Sequence, residues 1–344
     1  MVSQFGELNS EPVLVWGAGA IGGTIGAALS RSGIRVQMVD LNEEHCRICS
    51  DVGLQISGPV ENYIQRVPCV MPNMLSGQYN TVILAVKAHH TAEAAQYLMP
   101  HLSGDGFVLS AQNGLNENIL QNILGFERVM GCFVNYGADW INPGQVLYGN
   151  RGAVVLGEID GSIRDRTRRM HELIKHFEPD AIMTSNIMGY LWGKMCYGSM
   201  LFATALTGDS MAKNFGDPKR VSILAEIGKE VIATAFAEGV RPEGFNGFQP
   251  LAFSPTASRA ETKKCMMRLA EFNSRSAKTH SGIHRDLAVR KRTTEVDYQP
   301  GLVAQIAHRH GIPTPKLNRL VELIHDIENG RRKMSADVFF LLDR

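Results

Sequence analysis

The sequence predicts an α/β fold: a doubly wound parallel sheet over residues 1–185, then an all-helical domain over residues 186–344. Three observations carry this. Apolar runs of strand length alternate with helical segments up to about residue 185. A glycine-rich turn joins the first run to the first helix. From residue 187 onward strand signals stop, and apolar residues recur at helical spacing. A length of 344 residues suits two domains.

The elements follow in order. The first strand is Val13-Leu14-Val15-Trp16. After the glycine turn comes a helix of small residues, AIGGTIGAALSRSG, which Gly33 should close. Residues 34–40 form the second strand, ending at Asp40. Residues 79–87 and 106–110 are nearly continuous in apolar character, as parallel strands covered on both faces are. Helices are expected at 91–98 and in NENILQNIL, with a strand in RVMGCFVNYGA. Residues 145–148 and 153–156 should add an antiparallel pair. In the second domain, helices are expected over 187–206, 221–238, 301–310 and 317–329. Pro242, Pro250 and Pro255 mark a long loop among them.

Composition narrows the function classes. The 35 basic and 34 acidic residues leave a net charge of +1, so no single-sign field is available for nucleic acid or an anionic membrane. No apolar run reaches the ~18 residues a membrane span needs. The opening MVSQFGELNSEP reads as a short tail, since no basic stretch precedes an apolar one as in a secretory signal. Six scattered cysteines fit reduced thiols in a cytoplasmic protein. Cys46 and Cys49 form a C-x-x-C pair on an expected helix, without the further ligands a zinc site needs, and are expected to pack. His89 and His90 are adjacent and do not readily face one metal together, and His280/His284 lack a third ligand, so no metal is expected.

The glycine turn carries the first functional reading. Gly17, Gly19 and Gly22 form G-x-G-x-x-G between a strand and a helix, with Asp40 about twenty positions on. This is the Rossmann signature for a dinucleotide. Gly17 permits the tight turn, Gly19 lets backbone approach the pyrophosphate, and Gly22 allows close helix–strand packing. Ala18, Ala20 and Ile21 complete the loop, whose helix amides face the phosphates. The Asp40 carboxylate would accept from both ribose hydroxyls of NAD(H) and repel the extra phosphate of NADP(H). NAD(H) is therefore favoured, with NADP(H) the alternative. FAD uses a similar loop.

Five motifs in order extend the reading. They are G-A-G-A-I-G-G at 17–23, A-V-K ending at Lys87, Q-N-G at 112–114, L-W-G-K at 191–194 and T-E-V-D-Y at 294–298. With them the chain resembles the ketopantoate reductase (2-dehydropantoate 2-reductase) family over roughly residues 12–330. The resemblance implies a Rossmann domain plus a helical domain. It also implies reduction of the ketone of a 2-keto acid by a nicotinamide cofactor, with a lysine supplying the proton.

Residue by residue, it assigns Lys194 as the catalytic lysine and Lys87 as a second lysine at the end of a sheet strand. Asn113 is placed near the nicotinamide and carbonyl, and Glu295 in the active site. Ser281 is the nearest match to a serine that contacts the substrate. His280, His284 and Arg285 are polar groups that the family does not regularly have: Arg285 would clamp a carboxylate bidentately, the alternative being a surface pair with Asp286.

The chain also departs from the family. Asparagines are expected four and eight positions after the lysine, where Gly198 and Phe202 stand. Hydrogen bonds to substrate hydroxyls would be lost there, which points to a substrate less polar than ketopantoate. Tyr197 and Ser199 are nearby polar residues, expected mainly in packing. The alternatives are an authentic 2-dehydropantoate 2-reductase and an inactive dinucleotide-binding sensor. The expected partners are a 2-keto or 2-hydroxy acid and a second copy of the chain, with Met195, Met200 and Met211 offering apolar surface for a homodimer.

Overall fold

A computed structural model describes residues 11–275 and 278–343; most of the opening tail lies outside the described residues. The chain divides after Ile187 into two compact units.

Unit one contains twelve strands among the described residues: β1 Val13–Trp16, β2 Val36–Val39, β3 Leu54–Ser57, β4 Tyr63–Gln65, β5 Cys69–Val70, β6 Tyr79–Leu84, β7 Leu102–Ser110, β8 Val129–Val134, β9 Gly137–Asn142, β10 Gln145–Asn150, β11 Val154–Glu158 and β12 Ile182–Met183. Its helices are α1 Ala20–Arg31, α2 Glu43–Asp51, α3 Thr91–Leu98, α4 Glu117–Leu124 and α5 Asp165–Lys175. Eight strands form the main sheet, in the order β12-β11-β8-β7-β6-β1-β2-β5. From β1 the chain builds outward to β2 and β5 on one side, then returns to lay β6, β7 and β8 on the other. The strands β5 through β8 of this order pair in parallel. That is the doubly wound plan, with its topological switch between β1 and β6. VLVW of β1 and VMGCFV of β8 are buried throughout, because helices cover both faces.

Two details differ from the expectation. The pair expected at 145–148 and 153–156 belongs to two different sheets. β11 joins the main sheet antiparallel to β8, and β12 follows it. The run expected as one strand from Arg128 splits: β8 stays in the main sheet, whereas β9 enters a second sheet of order β4-β3-β10-β9. β3 and β4 are three or four residues long, too short for an apolar period to stand out.

Unit two continues with α6 Ile187–Thr204, α7 Met211–Gly216, α8 Pro218–Ala237, α9 Arg259–Ser274, α10 Gly282–Arg285, α11 Pro300–Arg309, α12 Pro315–Glu328 and α13 Ala336–Phe340. α9 was not expected; its weakly patterned RAETKKCMMRLAEFNS hides an apolar face of Cys265, Met266 and Leu269. Its start carries a capping box, Ser258 with Glu261, that satisfies the first free amides.

α6 is the central helix. Leu191, Trp192, Met195, Cys196, Ser199, Met200 and Phe202 are all buried. Beyond Met188 near its start, the partly accessible residues form one stripe: Tyr190, Lys194, Tyr197, Gly198 and Leu201, at steps of three and four residues. Met195, Met200 and Met211 are interior, so they offer no surface for a second copy.

Candidate active site

The sheet register lines up the sequence-predicted groups of unit one. Val39, Trp16, Leu84 and Ser110 are consecutive partners across β2, β1, β6 and β7. Just beyond this line stand Asp40, the glycine turn from Gly17, Lys87 and Asn113. These are the carboxyl ends of parallel strands, where open α/β sheets bind ligands.

Gly17 has φ +96°, a left-handed backbone, and a Cβ there would lie 3.0 Å from Ala85 and Val86. A Cβ on Gly22 would lie 2.0 Å from the Gly17 carbonyl oxygen, so the helix comes this close to the turn only with glycine. Gly19 has open space where a Cβ would point. It precedes α1, whose start has no side-chain cap and no acidic residue in its first turn. Ala18 is buried, whereas Ala20 and Ile21 are half-buried at the helix start. The turn is pinned by Asp40, whose Oδ2 accepts from the Ala18 amide at 3.0 Å and whose Oδ1 accepts from the Asn42 amide at 3.0 Å. Each oxygen keeps a further lone pair for a ligand hydroxyl.

Lys87 is half-buried and leads into a 3₁₀ turn, Ala88–His90. Asn113 is exposed, ahead of Gly114 with φ +98°. A buried polar network beneath ties their two loops together. The Gln112 side-chain amide donates to the Val86 carbonyl at 3.0 Å and to Thr91 Oγ1 at 2.8 Å. Asn116 Nδ2 donates to the Asn113 carbonyl at 2.7 Å. Glu117 lies beside this network, fully buried, with carboxyl oxygens that make no hydrogen bond among the described residues. Burial pushes its carboxyl up to about 7.

A group that sequence reasoning missed is His45. Fully buried on α2, its Nε2 lies 2.9 Å from the Ala18 carbonyl oxygen, and its Nδ1 accepts from the Gly144 amide at 2.9 Å. The C-x-x-C pair packs against it. Cys49 Sγ is 3.6 Å from His45 Nε2, and Cys69 Sγ is 3.3 Å from Cys46 Sγ. All three thiols are buried and unoxidised. Hydrogen bonding from Cys69, aided by His45 and opposed by burial, holds the Cys49 thiol down to about 6. Among the described residues, no group of three or more such side chains is placed to hold a metal ion.

In unit two, Lys194 lies on the accessible stripe of α6. Phe202, eight residues on, is fully buried, so its ring offers no apolar wall to a ligand. Tyr197 sits in an aromatic cluster with Phe215, Phe245 and Phe248, and the buried Ser199 hydroxyl has no hydrogen-bond partner among the described residues. Glu295 is 8% exposed, in a turn fastened on both sides. Glu328 Oε1 accepts from the Thr294 amide and hydroxyl, each at 2.7 Å. His325 bridges Glu328 Oε2 at 2.8 Å and Asp297 Oδ1 at 2.9 Å. The nearby Arg290 and Arg292 pair with Asp286.

The same segment reaches α6 through Gln299, whose Oε1 is 3.2 Å from where a Cβ on Gly198 would stand. Ser281 is buried and caps α10, its Oγ accepting from the His284 amide at 3.1 Å. Arg285 ends that short helix, half-buried. The rings of His280 and His284 lie 4.2 Å apart, tilted by 39°, and burial lowers the His284 pKa, with the charges of His280 and Arg285 adding to the effect.

The architecture is that of a Rossmann-type unit joined to a helical unit, a class of two-domain dinucleotide oxidoreductases. The chain belongs to the ketopantoate reductase PanE/ApbA family, matching its N-terminal part over residues 13–161 and its C-terminal part over residues 186–328. A 2-dehydropantoate 2-reductase of Streptococcus pyogenes serotype M6 is 24% identical over 315 residues, covering 91% of this chain and 96% of that protein. One of Archaeoglobus fulgidus is 26% identical over 324 residues, covering 94% and 100%. A D-mandelate dehydrogenase, solved with NADH and anilino(oxo)acetate, has the same fold, with a TM-score of 0.81 at 22% identity over 93% of this chain and 99% of that one.

Proposed function

We propose that the protein reduces the ketone of a 2-keto acid with a nicotinamide dinucleotide, and oxidises the matching 2-hydroxy acid in reverse. One observation carries the reading: the glycine turn, Lys87 and Asn113 stand beyond one register line of the sheet, in a member of this family. The open space at Gly19 and the uncapped start of α1 fit a pyrophosphate. Residues 17–22 and Asp40 would hold the cofactor, which supplies the hydride for the carbonyl carbon when bound. Asp40 favours NAD(H) over NADP(H), because a carboxylate repels the extra phosphate.

The remaining roles belong to side chains. The Lys194 ammonium stabilises negative charge growing on the carbonyl oxygen and then protonates it. Lys87 offsets the substrate carboxylate, and the Asn113 amide fixes the carbonyl's direction. Glu295, held by the turn that Glu328 and His325 fasten, orients the lysine or the substrate. Arg285 is a bidentate carboxylate clamp. Ser281 contributes through the cap it makes on Arg285's helix.

The six free thiols suit a reducing cytoplasm. A homodimer is part of the same reading, formed through residues other than the interior methionines; light scattering in solution tests it. The central test follows loss of reduced cofactor by the purified protein with NADH or NADPH and a panel of 2-keto acids. Turnover with NADH ahead of NADPH is expected. No turnover with any acid would sink the reading.

A further inference from the structure

Beyond Met188 near its start, α6 shows the solvent one narrow stripe, and Lys194 sits on it. One helical turn further on, the stripe carries Gly198, which has no side chain to offer. Residues four apart on a helix have Cβ positions ~5–6 Å apart, so whatever fills the place above Gly198 is a close neighbour of the lysine. The carboxamide of Gln299 fills it, with Oε1 3.2 Å from the position of a Cβ on Gly198.

Gln299 is held where it is. Its backbone amide donates to the Val296 carbonyl, its carbonyl accepts from the Val303 amide at 3.1 Å, and Pro300 follows it. With φ −125° and ψ −91°, Gln299 is the residue at which the chain turns into α11, and those two backbone hydrogen bonds hold the base of its side chain. The side chain is half-buried, yet its carboxamide makes no hydrogen bond among the described residues. A carboxamide offers two donors and two acceptor lone pairs, and leaving such groups partly desolvated and unpaired is unfavourable. Four residues earlier on the same segment stands Glu295. An uncommitted amide thus stands one helical turn from the lysine, delivered by another element in place of the missing side chain.

We propose that Gln299 contacts the substrate and sets its specificity. Its carboxamide hydrogen-bonds the substituent beyond the reacting carbonyl, so the chain favours 2-keto acids with a hydroxyl there over their apolar counterparts. This rests on the reading that Lys194 protonates the carbonyl oxygen. It reverses the expectation that Gly198 and Phe202 make the site less polar: Phe202 is sealed in the interior, and the polar group lost at Gly198 is replaced from Gln299.

The test compares two acids that differ by one hydroxyl, 2-dehydropantoate and the same acid without its hydroxyl, with wild type, Gln299→Leu, Gln299→Met and Lys194→Ala. Wild type should prefer the hydroxylated acid by about tenfold in kcat/KM, the size of one neutral hydrogen bond. Both Gln299 variants should lose that preference, through a higher KM for the hydroxylated acid, and keep kcat/KM for the other acid within about twofold. Met keeps the chain length of Gln, so folding is protected in at least one variant, and thermal melting verifies it. Turnover that Lys194→Ala abolishes, with a hydroxyl preference unchanged in both Gln299 variants, overturns the inference and leaves the reductase reading standing. Equal losses for both acids also overturn it, since they mean that Gln299 only packs. No turnover of any 2-keto acid by wild type overturns the reductase reading, and the inference falls with it.

Discussion

The strand-end line of unit one and the helix stripe of unit two are built in opposite ways. In unit one the groups for a ligand are largely backbone: a left-handed turn at Gly17, open space at Gly19 and bare amides at the start of α1. Local sequence dictates these, and the register of four parallel strands aligns them. In unit two the groups are side chains on different elements, Lys194 on α6 and Glu295 with Gln299 on the segment before α11. Only packing brings Gln299 to the stripe of α6, at Gly198. The cofactor turn of the first region should be most sensitive at its glycines, and the second region at its side chains.

The sharpest break between the regions comes at Lys194. Lys194→Ala should lower kcat by 10²–10⁴-fold, the usual worth of a general acid, and leave NADH affinity by fluorescence titration unchanged. A parallel loss of NADH affinity would show that the two functions do not divide this way. Next is Gly22→Ala. The added Cβ would lie 2.0 Å from the Gly17 carbonyl oxygen, so the turn must open. Cofactor affinity should fall tenfold or more in calorimetry; an unchanged Kd would remove the close-packing role.

Third is the pH dependence of Glu117. Its carboxyl rises from 4.5 to about 7 on folding, so the unfolded state releases its proton first. Stability is full below about pH 4.5 and is lost as pH rises through about 7. Glu117→Gln does not titrate, so its stability relative to wild type should rise between pH 5 and pH 8 by about 2–3 kcal/mol in urea melts. A gap independent of pH would contradict the buried, titrating carboxyl. The smallest effect belongs to Asp40→Asn, which should narrow the preference for NADH over NADPH several-fold. A preference that stays the same would remove Asp40 from cofactor choice.

How much was readable in advance follows the same division. The glycine turn, Asp40, Lys87 and Asn113 sit at fixed offsets from apolar strands, and the strands themselves announce where the ends fall. α6 was readable as a helix, but its accessible stripe was not. Nearly every residue on it is apolar, so the pattern carries no sign of which side faces outward. The expectation for Phe202 failed for this reason: eight residues after Lys194 is two helical turns only roughly, and the ring points into the interior. The second sheet escaped because β3 and β4 are shorter than the window in which alternation is visible. Gln299 follows directly on the T-E-V-D-Y motif, yet nothing in sequence says that it meets Gly198, about a hundred positions away.

His45 links parts that look like separate modules. One imidazole touches the glycine turn at Ala18 with one nitrogen and the β9–β10 hairpin at Gly144 with the other. Around Gly144 the fit is close, since a Cβ there would lie 2.2 Å from Ile48 on α2. Anyone transplanting the first β–α–β unit from a relative to change cofactor preference would therefore carry half of a joint whose other half lies a hundred residues downstream. A graft that includes the hairpin keeps the joint whole.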